Sequence, residues 1–356
     1  PDLPKGYQIS QYDKPFASNG WLEIRKIRIT RIHLEEDTGR LLHPEGADHS
    51  LVDFNRAGVP LMELVTEPDI ESGKEARQFA EELQLILRYL GVADADMEKG
   101  AMRVEVNISV SDTEKFGTKV EIKNLNSFRV VEKAVDFEIK RQTEVLEAGE
   151  RVIQETRGWH DKKEITFSQR AKEEAHDYRY FPEPDLPSMY FDDKFISEIK
   201  LEIPELPLAR KNRFMEEYGL DADSAEFFMV NRDLGEYYEK VTSEFENWIK
   251  EEKMAGDIPK KEEMRLHKIA SNYLITDIQG LLNPSVFVEI EFKITPENFA
   301  EFVKMIYKGE ISSKIAKMVL KEMFETGADP SHIVDEKGLS QMGGEKEIET
   351  AIKEVI

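Results

Sequence analysis

The sequence predicts an α+β fold, in which a mixed and largely antiparallel sheet forms a cradle with cover helices and an all-α helical domain follows it. Residues 102–110 alternate apolar and polar side chains with period two, which indicates a half-buried strand. Residues 72–90 instead repeat apolar side chains every three or four positions, which indicates an amphipathic helix. From Pro204 and Pro207 onward the pattern is almost entirely helical, so we place a domain boundary between residues 203 and 204.

A β-hairpin is predicted over residues 102–123. Both of its strands, 102–110 and 118–123, alternate in polarity, and the connection 111–117 is short enough for an antiparallel pair. If the strands pair, their charged side chains share one surface. These side chains are the carboxylates Glu105 and Glu121 and the cations Arg103, Lys119 and Lys123.

A third strand, over residues 27–36, is predicted to contain a β-bulge. Its apolar phase switches between Ile29 and Ile32, as expected when one extra residue is inserted into a strand. Successive side chains of a strand project to opposite faces. The side chains after the bulge therefore divide between the two faces, with His33 and Glu35 on one and Glu36 on the other.

Glu63 lies in the middle of residues 61–65, which are otherwise apolar. Such a run is typical of a strand that is covered on both faces. A buried carboxylate must be ion-paired, protonated or bound to a metal, because burial of a bare charge is costly. The pattern therefore favours a functional role for Glu63.

Helices are predicted from apolar spacing and from terminal signals. Ser72 and Glu75 form a capping box before the first helix, and Gly91 ends it. A second helix runs over residues 128–146, before Gly149, and we expect both helices to cover the sheet. In the second half the predicted helices span residues 208–218, 234–252, 260–282, 296–307, 313–325 and 345–356.

Composition excludes several classes of function. The 356 residues contain no cysteine, which removes disulfides, thiolate metal sites and cysteine nucleophiles. The net charge of −23 repels polyphosphates, so a nucleic-acid role requires a local basic patch, bound Mg²⁺ or a basic partner. No apolar run is long enough for a membrane span, and the first residues lack signal-peptide character, so we expect a soluble cytoplasmic protein with no membrane partner. No P-loop and no Gly-x-Gly-x-x-Gly turn is present.

The remaining candidates for chemistry are carboxylates on predicted strands, where acidic residues are uncommon. Solvated or ion-paired side chains are one interpretation, above all for Glu105 and Glu121 beside the cations of the hairpin. The other interpretation is a magnesium–nucleotide site, in which carboxylates hold Mg²⁺ while Arg and Lys neutralise phosphate oxygens. His33 is either a metal ligand, a base or a structural residue.

Residues 176–187 concentrate aromatic rings, an arginine and three prolines. A packed, extended loop stiffened by proline is one interpretation of this segment. Stacking of the rings and the guanidinium group on a nucleobase is the other. Spacing does not distinguish between them.

The same segments resemble the B subunit family of the glutamyl-tRNA(Gln)/aspartyl-tRNA(Asn) amidotransferases. The resemblance runs across essentially the whole chain, and several long motifs in a fixed order are far more specific than one short pattern. The motifs that carry it are Gly6–Asp13, Ile32–Asp37, Leu51–Glu63, Thr66–Asp69, Lys123–Phe128, Asp177–Pro187 and Ser312–Ala316.

This resemblance implies a ligase that uses ATP and Mg²⁺ to phosphorylate the side-chain carboxylate of a mischarged Glu or Asp on tRNA. Ammonia that an amidase releases from glutamine and that passes through a channel then displaces the phosphate to give the amide. The implied partners are the amidase A subunit and a small C subunit in a heterotrimer, tRNA(Gln) or tRNA(Asn), and the cognate nondiscriminating aminoacyl-tRNA synthetase. The implied fold is a cradle-shaped catalytic domain, a helical domain and a tail domain that embraces tRNA.

Site residues follow from the resemblance by position. Glu36 and Glu63 lie in family motifs and are the expected catalytic metal ligands, with Glu121 and Glu105 as further ligands of Mg²⁺. From the strand geometry we add a hypothesis that the cations of the hairpin bind the phosphates of ATP. These cations are Arg103, Lys119 and Lys123.

Two departures from the family pattern qualify these expectations. No Gly-Leu-Glu-Ile/Val-His segment precedes Pro1, so we expect the catalytic domain, residues 1–203, to lack its N-terminal part. Residues 204–337 are the expected helical domain, and residues 338–356 the beginning of a truncated tRNA-binding tail domain.

A noncatalytic tRNA-binding scaffold, in which the strand carboxylates only form ion pairs, is the alternative function. A free-standing phosphotransferase acting on a small carboxylic acid is a third.

Overall fold

The computed structural model describes residues 7–23, 26–44, 46–171, 179–253, 260–281 and 293–339. The chain divides into two compact units, Pro1–Pro204 and Glu205–Ile356. The first unit contains strands and helices, and the described part of the second contains helices, which confirms the predicted fold class. The predicted tail domain and the predicted helix over 345–356 lie almost entirely outside the described residues, so the division at residue 338 stays a prediction.

The first unit has eleven described strands in four sheets. A three-stranded antiparallel sheet has the order β2-β3-β6, a four-stranded sheet has the order β10-β9-β8-β7, and β1 with β11 and β4 with β5 form two small pairs. The strands are β1 (Tyr7–Ile9), β2 (Ala17–Leu22), β3 (Ile27–Glu36), β4 (Arg40–Leu42), β5 (Leu51–Asp53), β6 (Pro60–Thr66), β7 (Val104–Ile108), β8 (Val120–Leu125), β9 (Glu155–His160), β10 (Ile165–Ala171) and β11 (Arg179–Phe181).

Strand β3 contains the predicted bulge. Its register against β6 shifts between Ile29, which pairs with Thr66, and Arg31, which pairs with Val65. Without that extra residue, the later side chains of β3 would point to the opposite face. The bulge therefore decides which face of the sheet receives the polar side chains of β3.

The predicted hairpin is also present, as the antiparallel pair of β7 and β8, in which Val106 lies opposite Ile122. Two helices, α1 (Gly73–Tyr89) and α2 (Phe128–Glu147), pack against each other and form a core with this sheet. They approach so closely that the carbonyl oxygen of Glu132 leaves no room for a Cβ atom on Gly73. A third helix, α3 (Asp193–Glu202), buries none of its residues.

The second unit is built on large aromatic side chains that are fully buried, including Phe214, Tyr238 and Phe299. Thr295 and Ser312 cap two of its helices at the N-terminus, and Gly309 and Gly327 end them in the left-handed conformation. No helix of the described residues is long and apolar enough to cross a membrane. The helices are α4 (Pro207–Glu217), α5 (Ala222–Val230), α6 (Arg232–Lys253), α7 (Lys260–Asn272), α8 (Pro296–Lys308), α9 (Ser313–Thr326) and α10 (Pro330–Glu336), and a π-helical segment, Tyr273–Ile278, continues α7.

Candidate functional site

Three potential metal ligands converge on the three-stranded sheet. His33 and Glu35 are alternate residues of β3, and Glu63 lies directly opposite His33 on β6, so all three side chains project from one face. The Nε2 atom of His33 is 3.4 Å from Oε2 of Glu35 and 3.5 Å from Oε2 of Glu63. One ligand atom from each residue lies within 4.8 Å of the other two. We call these three residues the His33 cluster.

The imidazole of His33 is fully buried, with 0% of the residue exposed, and neither ring nitrogen has a hydrogen-bond partner. Burial lowers the pKa of His33, because a buried cation loses its hydration. Glu63 opposes this shift, and the nearby charge of Arg31 adds to it. The lowered pKa favours the neutral ring, which has a lone pair available for a ligand.

The two carboxylates of the cluster lie side by side. Burial raises the pKa of Glu35, and the neighbouring Glu63 carboxylate raises it further, against a hydrogen bond from Gln8 that lowers it. Within the part of the chain that the structure describes, neither Glu35 nor Glu63 forms an ion pair with Lys or Arg. The Glu63 side chain is 45% exposed, so the prediction of a buried carboxylate on a strand covered on both faces is wrong, because β6 leaves Met62 and Glu63 open to solvent. Water screens part of the repulsion between the two anions, and a proton or a metal ion between them would offset the rest.

This donor set fits a divalent cation. Carboxylate oxygens suit Mg²⁺, which prefers hard oxygen ligands and retains several waters. The imidazole nitrogen extends the suitable ions to Mn²⁺ and other transition metals. A bound cation would give one ring nitrogen of His33 a partner, and it would offset the repulsion between the carboxylates of Glu35 and Glu63.

Glu36 lies outside the His33 cluster. As the residue after Glu35 it projects from the other face of β3. Its Oε1 atom lies over the loop before β6, 3.7 Å from where a Cβ atom on Gly58 would stand. The structure thus brings Glu63 together with Glu35 rather than with Glu36, and the assignment of Glu36 as a ligand of the same ion stays a prediction.

The predicted ligands of the hairpin lie on the other large sheet, around Lys123. The Nζ atom of Lys123 is 3.1 Å from Oε2 of Glu105 and 3.5 Å from Oε1 of Glu121. Glu121 also accepts a 2.9 Å hydrogen bond from the hydroxyl of Thr156. These contacts agree with the ion-pair interpretation, and a metal-binding role for Glu105 and Glu121 is not tested by them.

The two other predicted phosphate partners, Arg103 and Lys119, precede β7 and β8 and are exposed. Neither has an ion-pair partner among the described residues, whereas Lys123 has two. Their role toward ATP stays a prediction.

Aromatic side chains cover one side of the His33 cluster. The ring of Tyr12 meets the ring of His33 edge-on at 5.9 Å and stacks on Tyr180 at 4.8 Å. Tyr180 belongs to β11, which pairs in parallel with β1, so part of the segment predicted as a loop is a strand. Residues 176–178 of that segment lie outside the described residues.

Sequence reasoning identified Glu35 and His33 as neighbours on one face but did not select Glu35 as a ligand. The signal that was available is the spacing His33-Leu34-Glu35 on a strand, which places two donors on one face. The pairing of His33 with Glu63 carried no such signal, because the register between β3 and β6 is a tertiary property.

Two family models match this chain. The family described as the GatB/GatE catalytic domain matches residues 1–197, which include the whole His33 cluster, and the family described as the GatB domain matches residues 258–356.

Curated relatives match the chain over its full length. The B subunit of an aspartyl/glutamyl-tRNA(Asn/Gln) amidotransferase from Thermotoga maritima is 48% identical over 369 residues, covering 100% of this chain and 72% of the relative. Proteins of the same name from Carboxydothermus hydrogenoformans and Persephonella marina are each 46% identical, over 100% of this chain and 72% and 73% of the relatives. The chain therefore belongs to the B subunit family of the aspartyl/glutamyl-tRNA(Asn/Gln) amidotransferases.

Proposed function

We propose that this chain is a ligase subunit that activates the side-chain carboxylate of Glu on tRNA(Gln) or Asp on tRNA(Asn) with ATP and Mg²⁺. The names of the relatives support tRNA-dependent amide formation. The observation that carries the proposal is the His33 cluster, in which a buried imidazole without a hydrogen-bond partner faces two carboxylates, within the segment that matches the catalytic domain.

Activation is needed because a carboxylate has no adequate leaving group. In the proposed reaction a carboxylate oxygen attacks the γ-phosphorus of ATP, the bond from that phosphorus to the bridging oxygen breaks, and ADP leaves. Ammonia then attacks the carbonyl carbon of the acyl phosphate, inorganic phosphate leaves, and loss of a proton gives the amide. Both steps depend mainly on positioning and on neutralisation of phosphate charge.

The His33 cluster is the proposed holder of the metal ion. His33 would contribute a ring nitrogen, and Glu35 and Glu63 one carboxylate oxygen each. When bound, Mg²⁺ neutralises phosphate charge and aligns the phosphoryl group with the attacking oxygen. The chain itself holds the imidazole in place, because β3 and β6 fix its backbone register and Tyr12 packs against its edge.

The proposed setting is a cytoplasmic heterotrimer. An amidase subunit would release ammonia from glutamine and pass it through a channel, and a small third subunit would complete the assembly. tRNA(Gln), tRNA(Asn) and the nondiscriminating synthetase are the proposed further partners. With a net charge of −23, the chain requires local cations or bound Mg²⁺ to hold tRNA.

Metal binding tests the proposed ligands directly. We expect Glu63→Gln to weaken Mn²⁺ binding at least about tenfold, since removal of even an outer-shell group costs about that much. Glu36→Gln is the matched control on the same sheet and should leave the affinity unchanged. Electron paramagnetic resonance titration of free Mn²⁺ measures both. Loss with both Glu36→Gln and Glu63→Gln would favour the ligand set predicted from sequence, and no loss with Glu63→Gln would count against the His33 cluster as the metal site.

Turnover tests the reaction. With the amidase and the small subunit present, we expect Mg²⁺-dependent ADP formation only when Glu-tRNA(Gln) or Asp-tRNA(Asn) is supplied. Correctly charged Gln-tRNA(Gln) is the control substrate. ADP formation on a small carboxylic acid without tRNA would indicate a free-standing phosphotransferase, and tRNA binding without ADP formation would indicate a scaffold.

A further inference from the structure

Arg31 lies on the same face of β3 as the His33 cluster. The residues that alternate on this face after the bulge are Arg31, His33 and Glu35. Residues two apart on a strand are about 7 Å apart. The side chains of Arg31 and His33 both contact the ring of Tyr12, which places the arginine beside the cluster.

Among the described residues, Arg31 forms none of the ion pairs that several other arginines of this unit form. Its Nε atom is buried without a hydrogen-bond partner, and no described carboxylate forms an ion pair with it. On the same strand, Arg28 instead binds Asp69 through Nε at 2.9 Å and Nη2 at 2.6 Å. A buried N–H without an acceptor is costly, so Arg31 has donor capacity that the described protein groups do not use.

Tyr12 holds the guanidinium group in position. The Cζ atom of Arg31 lies 4.3 Å from the centre of the Tyr12 ring, within the range of a cation–π contact. Tyr12 is itself braced by its stack on Tyr180 and by its edge contact with His33. One aromatic ring thus connects the arginine to the His33 cluster.

We infer that Arg31 is a phosphate-binding residue, which holds a terminal phosphate of the nucleotide beside the His33 cluster. This inference rests on the proposed function, and it differs from the sequence hypothesis, which gave this role to Arg103, Lys119 and Lys123. Arginine presents several N–H donors in a rigid fork that matches phosphate oxygens. Arg31 on one side of a phosphoryl group and the proposed metal ion on the other would together neutralise its charge.

The test uses two probes, Mn²⁺ alone and inorganic pyrophosphate in the presence of Mn²⁺, titrated calorimetrically into this chain. We expect Arg31→Gln to weaken pyrophosphate binding about tenfold or more, as for loss of one charge-assisted hydrogen bond, with the Mn²⁺ affinity retained. Arg31→Lys should recover part of the loss, because the charge is kept without the fork. Arg28→Gln is the matched control on the same strand and should leave pyrophosphate binding unchanged.

A second pair of variants keeps the test independent of the folding of Arg31→Gln. Tyr12→Phe retains an aromatic face for the guanidinium group and should leave pyrophosphate binding unchanged, whereas Tyr12→Leu removes the face and should weaken it. Thermal unfolding of each variant checks that the fold is intact.

The outcomes separate this inference from the proposed function. Unchanged pyrophosphate binding in folded Arg31→Gln and Tyr12→Leu overturns the role of Arg31 and leaves the metal site standing. If Arg31→Gln loses affinity for tRNA but keeps its affinity for pyrophosphate, the inference is also overturned, because Arg31 would then bind a phosphate of the tRNA backbone rather than of the nucleotide. Failure of the unchanged chain to bind Mn²⁺ counts against the proposed metal site instead.

Discussion

Two buried histidines, one in each unit, show how differently the same side chain is used. His33 is 0% exposed and His267 is 3% exposed, and each has a ring nitrogen without a hydrogen-bond partner. The ring of His267 packs against Tyr218 at 5.1 Å and Phe245 at 5.8 Å. The ring of His33 instead faces two carboxylates.

Burial lowers the pKa of both imidazoles, and for His267 it does so to about 4. A neutral ring among aromatic side chains fills space in a core, whereas a neutral ring beside carboxylates completes a donor set. The neighbours of a buried histidine, rather than its burial, therefore distinguish a candidate site from a packed core.

Buried carboxylates show the same contrast within the first unit. Glu138 on α2 is 0% exposed, and it accepts hydrogen bonds from Arg141, from Gln142 at 3.0 Å and from the Thr166 hydroxyl at 3.0 Å. Arg157 lies 3.6 Å away. All the acceptor capacity of this network is used, so it stabilises the fold and leaves nothing for a ligand.

The largest effect is expected from breaking that satisfied network. Glu138→Ala should lower the free energy of unfolding of the first unit by about 3 to 5 kcal/mol, because it removes the buried partner of Arg141 and leaves Arg157 with Glu155 as its remaining ion pair. Urea denaturation measures the change. Glu144→Ala on the same helix, which removes only an exposed pair with Lys140, should cost less than about 1 kcal/mol. Equal losses of stability in Glu138→Ala and Glu144→Ala would show that the buried network contributes no more than the exposed ion pair.

The next effect concerns the core histidine. The pKa of His267 is lowered to about 4 in the folded unit, while an unfolded histidine titrates near 6.5. Since the unfolded chain binds the proton more tightly, stability falls as the pH decreases from about 6.5 towards 4, by about 3 kcal/mol in total. Urea unfolding of the second unit at several pH values measures this slope.

His267→Gln should flatten the slope, because the neutral amide does not titrate. The exposed His332 provides the control, and His332→Gln should retain the slope of the unchanged chain. A slope that survives in His267→Gln would show that other groups cause it.

The smallest effect is expected at the carboxylates of the His33 cluster. The change in the free energy of unfolding should there have the opposite sign to the change caused by Glu138→Ala. Without metal at pH 7.5, Glu35→Gln should raise the free energy of unfolding by up to about 1 kcal/mol, because it removes a repulsion between like charges. Glu105→Gln, which instead removes an ion-pair partner of Lys123, should slightly lower stability. A clear loss of stability in Glu35→Gln would mean that Glu35 supports the fold rather than a ligand.

Local patterns predicted much of the fold. The bulge of β3, the hairpin of β7 and β8 and the cap Ser72 all depend on neighbours within a few residues. Three helices were missed, α3, α5 and α10. Helix α3 buries none of its residues, α5 has nine residues and α10 has seven, so none of them has the clear apolar stripe that periodicity detects.

The sequence by itself determined the fold class, the family motifs and the types of residue available for chemistry, because these follow from local spacing and from side-chain identity. It placed His33 and Glu35 on one face of β3. Only the tertiary structure decided which carboxylate joins them, since the register of β3 against β6 puts Glu63 opposite His33 and leaves Glu36 on the other face. The partners of Arg31 are likewise decided at long range, because the Tyr12 ring that contacts its guanidinium group lies 4.3 Å away in space but outside β3 in the chain.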